Sequence, residues 1–196
     1  MAGDDRIADG PAFGVEVRCV GVSRFEFQLI FGKFDDPGNP AELVAGTIKM
    51  TGTYGIVPQP NEGVVNLYSA ASVMGQGLMN PPTVEGWHTG QEWIDGGTLN
   101  ERINFAVNLF NDLETPGMSD ILDRLGDSVQ SGDLVDSCLD IMGSIEVSDD
   151  TQKALEKYAD AVGDIDLSSH EARTENAVKV ARLIQLIVAT REYQFA

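Results

Sequence analysis

The chain has 196 residues, 42% of them hydrophobic and 22% charged, and its 31 acidic and 13 basic side chains give a formal net charge of -18. This length and composition suffice for one domain with a buried core and exclude a chain that is disordered throughout. The acidic excess repels phosphate backbones, so no nucleic-acid partner is expected, and its simplest interpretation is a solvated surface. The sequence has no apolar run long enough to span a membrane and an acidic N-terminus unlike a signal peptide.

The two cysteines, Cys19 and Cys138, lie far apart in the sequence and match no metal-binding spacing. Two buried thiols are favoured over one disulfide. No cofactor is expected, because no dinucleotide fingerprint, phosphate loop, zinc signature or EF-hand spacing occurs.

Residues 1–35 are predicted to form a loose tail followed by a short β-hairpin, and residues 36–196 a helical domain. In the first part, apolar residues alternate from Phe13 to Val22 and again from Phe25 to Leu29, which is typical of strands. The second part begins with Asn39 as a helix N-cap and Pro40 at the first helical position.

Amphipathic segments with helical spacing follow one another through the second part. Thr98 and Glu101 predict a capping box for the clearest helix, and Pro116-Gly117 predict its end. Ser168 and Glu171 predict the capping box of the last helix. The helices are predicted at residues 40–51, 61–74, 98–115, 119–125, 133–142, 148–162 and 168–190. The predicted fold class is mainly α, an irregular multi-helix bundle with an N-terminal β-hairpin.

The segment from Asn80 to Asp95 holds both tryptophans and the only Pro-Pro pair of the chain. Pro81 and Pro82 restrict the backbone, whereas Gly86 and Gly90 permit turns that a side chain would forbid. Trp87 and Trp93 offer large apolar surfaces to the flanking helices. The favoured interpretation is a binding or structural loop, formed by Pro81, Pro82, Gly86, Trp87 and Trp93.

A catalytic loop is the weaker alternative for the same segment. His88 could act as a base that Glu92 or Asp95 orients, with Arg102 beside it to hold an anionic or sugar-like group. Glycines and prolines interrupt this segment, so His88 and Glu92 do not share a helix face by spacing alone. A metal site is not predicted, because the other histidine, His170, lies far away in the sequence.

Several ordered motifs resemble the C-terminal part of the bacterial family known as domain of unknown function 1800. They are Pro40–Thr47, Met74-Gly75-Gln76, Asn80–Trp87, Trp93-Ile94, Arg102–Phe105 and the closing segment Leu183–Ala196. The resemblance implies a mostly helical fold and a chain similar to a C-terminal fragment or truncated member of a longer, commonly exported protein. It leaves the compartment of this chain unknown, and residues 1–35 depart from the helical segment that the family would lead us to expect.

The family resemblance supplies no reaction, so the predicted function is that of a structural or partner-binding helical domain. Its partner would be another protein or an N-terminal half of the family type. Family members are often encoded beside sulfatase-like proteins, which implies the alternative of a hydrolase that acts on an envelope or extracellular polymer. In that alternative the site lies at the Trp87-His88 loop.

Overall fold

The computed structural model describes residues 38–52, 62–77, 79–88 and 90–195. Within these ranges the chain forms eight α-helices, one 3₁₀-helix and a two-stranded antiparallel sheet. The prediction of a mainly α, irregular multi-helix fold is confirmed. The predicted N-terminal hairpin and Cys19 lie outside the described residues. The elements in chain order are α1 (Pro40–Thr51), α2 (Glu62–Val73), the 3₁₀-helix (Gly90–Trp93), α3 (Gly96–Leu109), α4 (Pro116–Leu125), β1 (Ser128–Val129), α5 (Ser131–Ile141), α6 (Asp149–Val162), β2 (Ile165–Asp166), α7 (His170–Val188) and α8 (Arg191–Gln194).

Helix α1 begins where the sequence predicts. The side-chain oxygen of Asn39 accepts a hydrogen bond from the backbone amide of Ala41 at 2.9 Å, and Pro40 takes the first helical position. The helix ends at Gly52, whose φ of 61° lies in the left-handed region that favours glycine.

Two predicted caps are displaced in the structure. Asp95, not Thr98, caps α3, since its carboxylate accepts from the amides of Gly97 at 2.7 Å and Thr98 at 2.8 Å. A carboxylate that accepts two amides is a stronger cap than one hydroxyl, and Thr98 completes the capping box from the third position. At α7 the cap is Ser169, one residue later than predicted, because the Ser168 hydroxyl bonds Asp166 instead.

Pro116 and Gly117 begin a helix instead of ending one. Helix α3 ends at Leu109, and Thr115 caps α4 by accepting a hydrogen bond from the Met118 amide, which places Pro116 at the first helical position. A proline is tolerated there because that amide has no partner inside the helix.

The small sheet was not predicted from the sequence. Ser128 pairs with Asp166 and Val129 with Ile165. Strands of two residues are too short to show an alternating pattern, and this pair is held by the burial of Val129 and Ile165 in the core.

Two apolar clusters form the interior of the described residues. The larger cluster gathers side chains from α3 through α7, and the smaller joins α1, the end of α2 and one face of α3. Helix α3 contributes to both, with Ala106 and Phe110 in the larger cluster and Phe105 and Leu109 packed against the smaller one. Cys138 is a buried free thiol of the larger cluster, and burial raises its pKa to about 12.

Candidate functional site

The segment between α2 and α3 forms a compact turn followed by the 3₁₀-helix. Thr83 and Gly86 make an isolated antiparallel bridge, and the Thr83 hydroxyl accepts a hydrogen bond from the Glu85 amide at 3.2 Å. Gly86 has a φ of 110°, which a residue with a side chain would rarely adopt. The side chains of Thr83, Val84 and Glu85 in this turn are exposed, as are Pro81 and Pro82 just before it.

The two tryptophans differ in burial. Trp93 is 2% exposed, at the end of the 3₁₀-helix, and its carbonyl accepts a hydrogen bond from the Thr98 hydroxyl at 3.0 Å. Trp87 is 39% exposed. Trp93 is thus buried, whereas Trp87 presents much of its surface to solvent.

His88 and Glu92 are brought together, as the catalytic alternative requires. The Nδ1 atom of His88 lies 3.6 Å from a carboxylate oxygen of Glu92, and both side chains are about half or more exposed. This distance is longer than that of a good hydrogen bond, but the two side chains form an ion pair when His88 is protonated. The His88 ring meets the Trp93 ring edge-on, with centroids 5.7 Å apart.

Asp95 is placed in the role of a helix cap. Its carboxylate accepts the two amides at the start of α3, and these hydrogen bonds lower its pKa, since they favour the charged form. Both amides bond the Oδ1 atom, and this capping role holds the carboxylate at the start of α3.

Arg102 lies in the interior, at 1% exposure, and holds the two ends of the described chain together. Its guanidinium donates to the Gly38 carbonyl at 2.7 Å, to the Gln194 carbonyl at 2.8 Å and to the Gln194 side-chain oxygen at 3.2 Å. Burial lowers its pKa to about 10, and nearby Tyr193 opposes that shift. All three acceptors are neutral, and Arg102 is bound to no carboxylate among the residues that the structure describes.

Two exposed apolar residues of this segment, Met79 and Val84, were not singled out from the sequence. Met79 is 93% exposed and Val84 fully exposed, and together with Trp87 we call them the loop face. Met79 has a φ of 66°, an uncommon backbone conformation for a residue other than glycine. The sequence signal for such exposed residues is an apolar residue in a Pro- and Gly-rich turn, because neither helical nor strand spacing there predicts that the residue is buried in a core.

Neither a metal site nor a membrane span is found in the described part of the chain. Its His, Cys, Asp and Glu side chains form no group of three or more that could hold a metal ion. Among the helices described, none combines the length and the apolar character that a membrane crossing requires.

Residues 31–195 match the family described as Protein of unknown function (DUF1800). The match also covers α4 to α6, which hold none of the motifs that carry the resemblance in the sequence. No curated protein matches the chain, and no solved structure does.

Proposed function

Because the chain belongs to the DUF1800 family, whose function is unknown, we propose from its own surface that it is a partner-binding helical domain. The observation that carries this proposal is the loop face, where Met79, Val84 and Trp87 are all exposed. The partner would be a protein that buries these three side chains.

The exposure of the loop face has a free-energy cost that binding would remove. Apolar surface is stabilised by about 25 cal/mol for each Å² that leaves water. Tryptophan is enriched among the residues that dominate binding energies, and methionine adapts its shape to a partner. The loop face therefore combines the side chains that supply affinity at protein interfaces.

Charge restricts the chemistry of the partner. The acidic side chains of Glu85 and Glu92 are exposed in the same segment, and the whole chain carries a formal charge of -18. A second copy would be repelled, whereas an apolar surface edged by Lys and Arg would be attracted. We therefore propose a basic protein partner rather than self-association.

Site-specific photo-crosslinking tests this proposal. A photoreactive amino acid is placed at Val84 in the cells that make the protein, with a matched variant at exposed Lys153 on α6. We expect a protein cross-linked at position 84 and not at position 153. With that protein purified, Trp87→Ala should weaken binding about tenfold or more, since buried tryptophans dominate interfaces. Identical products at both positions, or unchanged affinity of the Trp87→Ala variant, would refute the proposal.

A hydrolase is the second candidate, and the 3.6 Å approach of His88 to Glu92 is the observation that favours it. This proposal rests on His88 and Glu92, because Asp95 caps α3 and Arg102 is buried. Any hydrolysis of chromogenic ester, phosphate or sulfate substrates should be lost in both His88→Ala and Glu92→Gln and retained in Glu85→Gln. Retention in His88→Ala would remove this candidate.

A further inference from the structure

An open groove, lined by none of the loop-face residues, lies where the start of α6 meets the end of α7 and the short helix α8. The α5–α6 connection, residues 142–148, closes one side of it. The groove combines apolar side chains with acidic ones, and nothing in the proposed function uses it.

The apolar lining of the groove includes Ile145, Ala154, Leu186 and Phe195. Leu186 is 43% exposed, although its helix neighbours Ile184, Ile187 and Val188 are fully buried in the larger cluster. Leu186 thus projects from the outer face of α7 and contributes apolar surface to the groove rather than to the core. Burial of this surface by another chain would stabilise a complex.

The charged lining of the groove is mostly acidic. Glu146 and Asp150 are exposed, and Glu192 adds a third carboxylate whose second oxygen is buried without a hydrogen-bond partner in the described residues. The one cation among the described lining residues is Arg191, whose guanidinium carbon lies 5.4 Å from the centre of the Phe195 ring. A cation–π contact of this kind directs Arg191 towards Phe195.

We propose that this groove binds a basic, amphipathic peptide segment of another protein. Apolar side chains of the segment contact Leu186 and Phe195, and its Lys or Arg side chains pair with Glu146 and Asp150. Amphipathic helices are recognised in this way by apolar grooves of other proteins. A second copy of this chain is disfavoured, because its charge is also -18.

A model peptide of Leu and Lys, designed as an amphipathic helix and labelled with a fluorophore, provides the probe. Its binding to the full chain is measured by fluorescence anisotropy, and backbone amide shifts map the contact. Leu186→Lys should weaken binding about tenfold or more, because it replaces the apolar contact by a like charge. The matched control is Val178→Lys, which makes the same charge change on the same helix at 48% exposure and outside the groove.

We expect Val178→Lys to weaken binding by less than about twofold, since it changes only the long-range electrostatic attraction between the protein and the peptide. Glu146→Gln should weaken binding modestly, and the same peptide with Glu in place of Lys should not bind. Circular dichroism of each variant verifies that α7 is retained. Equal losses in the Leu186 and Val178 variants, amide shifts outside the groove, or no binding of the Lys peptide would overturn the proposal.

Discussion

Arg102 is the residue whose role in the structure differs most from the role predicted from the sequence, which was to hold an anionic or sugar-like group. It lies one helical turn before the buried Ala106, so the spacing of α3 already places it at the apolar face. A charged group is buried at little cost only when its donors are satisfied, and here backbone and amide oxygens from Gly38 and Gln194 satisfy them. Its role is to join the start of α1 to α8.

Replacement of Arg102 by Lys should destabilise the protein by about 2–3 kcal/mol, because an ammonium cannot reproduce the planar set of hydrogen bonds. Denaturant unfolding measures the change. The matched control is Arg173→Lys, whose ion pair with Asp123 is exposed and worth about 0–1 kcal/mol. Equal losses of stability in the two variants would show that Arg102 does not stabilise the contact between the start of α1 and α8.

The tryptophans differ in burial and should differ in stability. Trp93→Ala should lower the free energy of unfolding by about 3–5 kcal/mol, because it leaves a cavity beside α3. Trp87→Ala should cost less than about 1 kcal/mol, as expected for an exposed position. The two variants serve as controls for each other, and a large loss in Trp87→Ala would place that ring in the core.

At the scale of elements, the contact between α1 and α4 depends on a glycine. Gly117 lies in the first turn of α4, and a Cβ atom there would overlap the Met50 carbonyl oxygen and lie 2.6 Å from the Thr51 Cα atom. Both are backbone atoms that cannot move aside without displacing α1. The two helices can therefore approach this closely only with glycine at position 117.

Gly117→Ala should destabilise the protein by at least about 1–3 kcal/mol, because the added methyl group forces the helices apart. Gly132→Ala is the matched control, since Gly132 occupies the same position in α5 and no described atom lies within 4 Å of its Cβ site. That change should be neutral or stabilising by up to about 1 kcal/mol. Thermal unfolding compares the two, and equal stability of both variants would contradict the close approach.

Glu192 joins α8 to the start of α6. One of its oxygens accepts from the Ser148 amide and from the Thr151 hydroxyl, both at 3.0 Å. The Ser148 amide is the main cause that lowers the pKa of Glu192 from 4.5 to about 2. The carboxylate therefore stabilises the fold above pH 4.5, and this contribution is lost as the pH falls towards 2.

Glu192→Gln should reduce stability by roughly 1 kcal/mol at neutral pH, because the charged acceptor is replaced by a neutral one. The difference from the parent should shrink as unfolding is measured at lower pH. Thr151→Ala should cost less in the Glu192→Gln background than alone, as a double-mutant cycle would reveal. A pH-independent difference would show that the charge of Glu192 is not the cause.

At the scale of the whole molecule, α3 connects the two apolar clusters. Phe105 of this helix and Phe110, its C-cap residue, pack in different clusters, so neither cluster can lose its packing without disturbing α3. We expect one cooperative unfolding transition, with coincident midpoints for tryptophan fluorescence near α3 and for circular dichroism of all helices. Separate midpoints would show that the smaller cluster unfolds alone.

Residue spacing and capping residues suffice to predict the helical class, the buried face of α7 and the start of α1, because both are local properties of the chain. One face of α7 has residues that recur at the three- and four-residue spacing of a helix, and all of them are buried: Ala177, Val180, Ala181, Ile184, Ile187 and Val188. Helix boundaries are harder to predict from the sequence. Asp95 and Thr98 are both good N-caps, and Pro116 fits the end of one helix or the start of the next.

The accessibility of the candidate residues depends on contacts between segments that are distant in the sequence. Arg102 is buried by contacts with Gly38 and Gln194, whereas Met79, Val84 and Trp87 are left in solvent. Which partner a buried guanidinium finds, or which tryptophan is covered, depends on segments distant in the sequence. The separation of Gly38, Arg102 and Gln194 along the chain is the physical reason that the sequence alone could not reveal their contact.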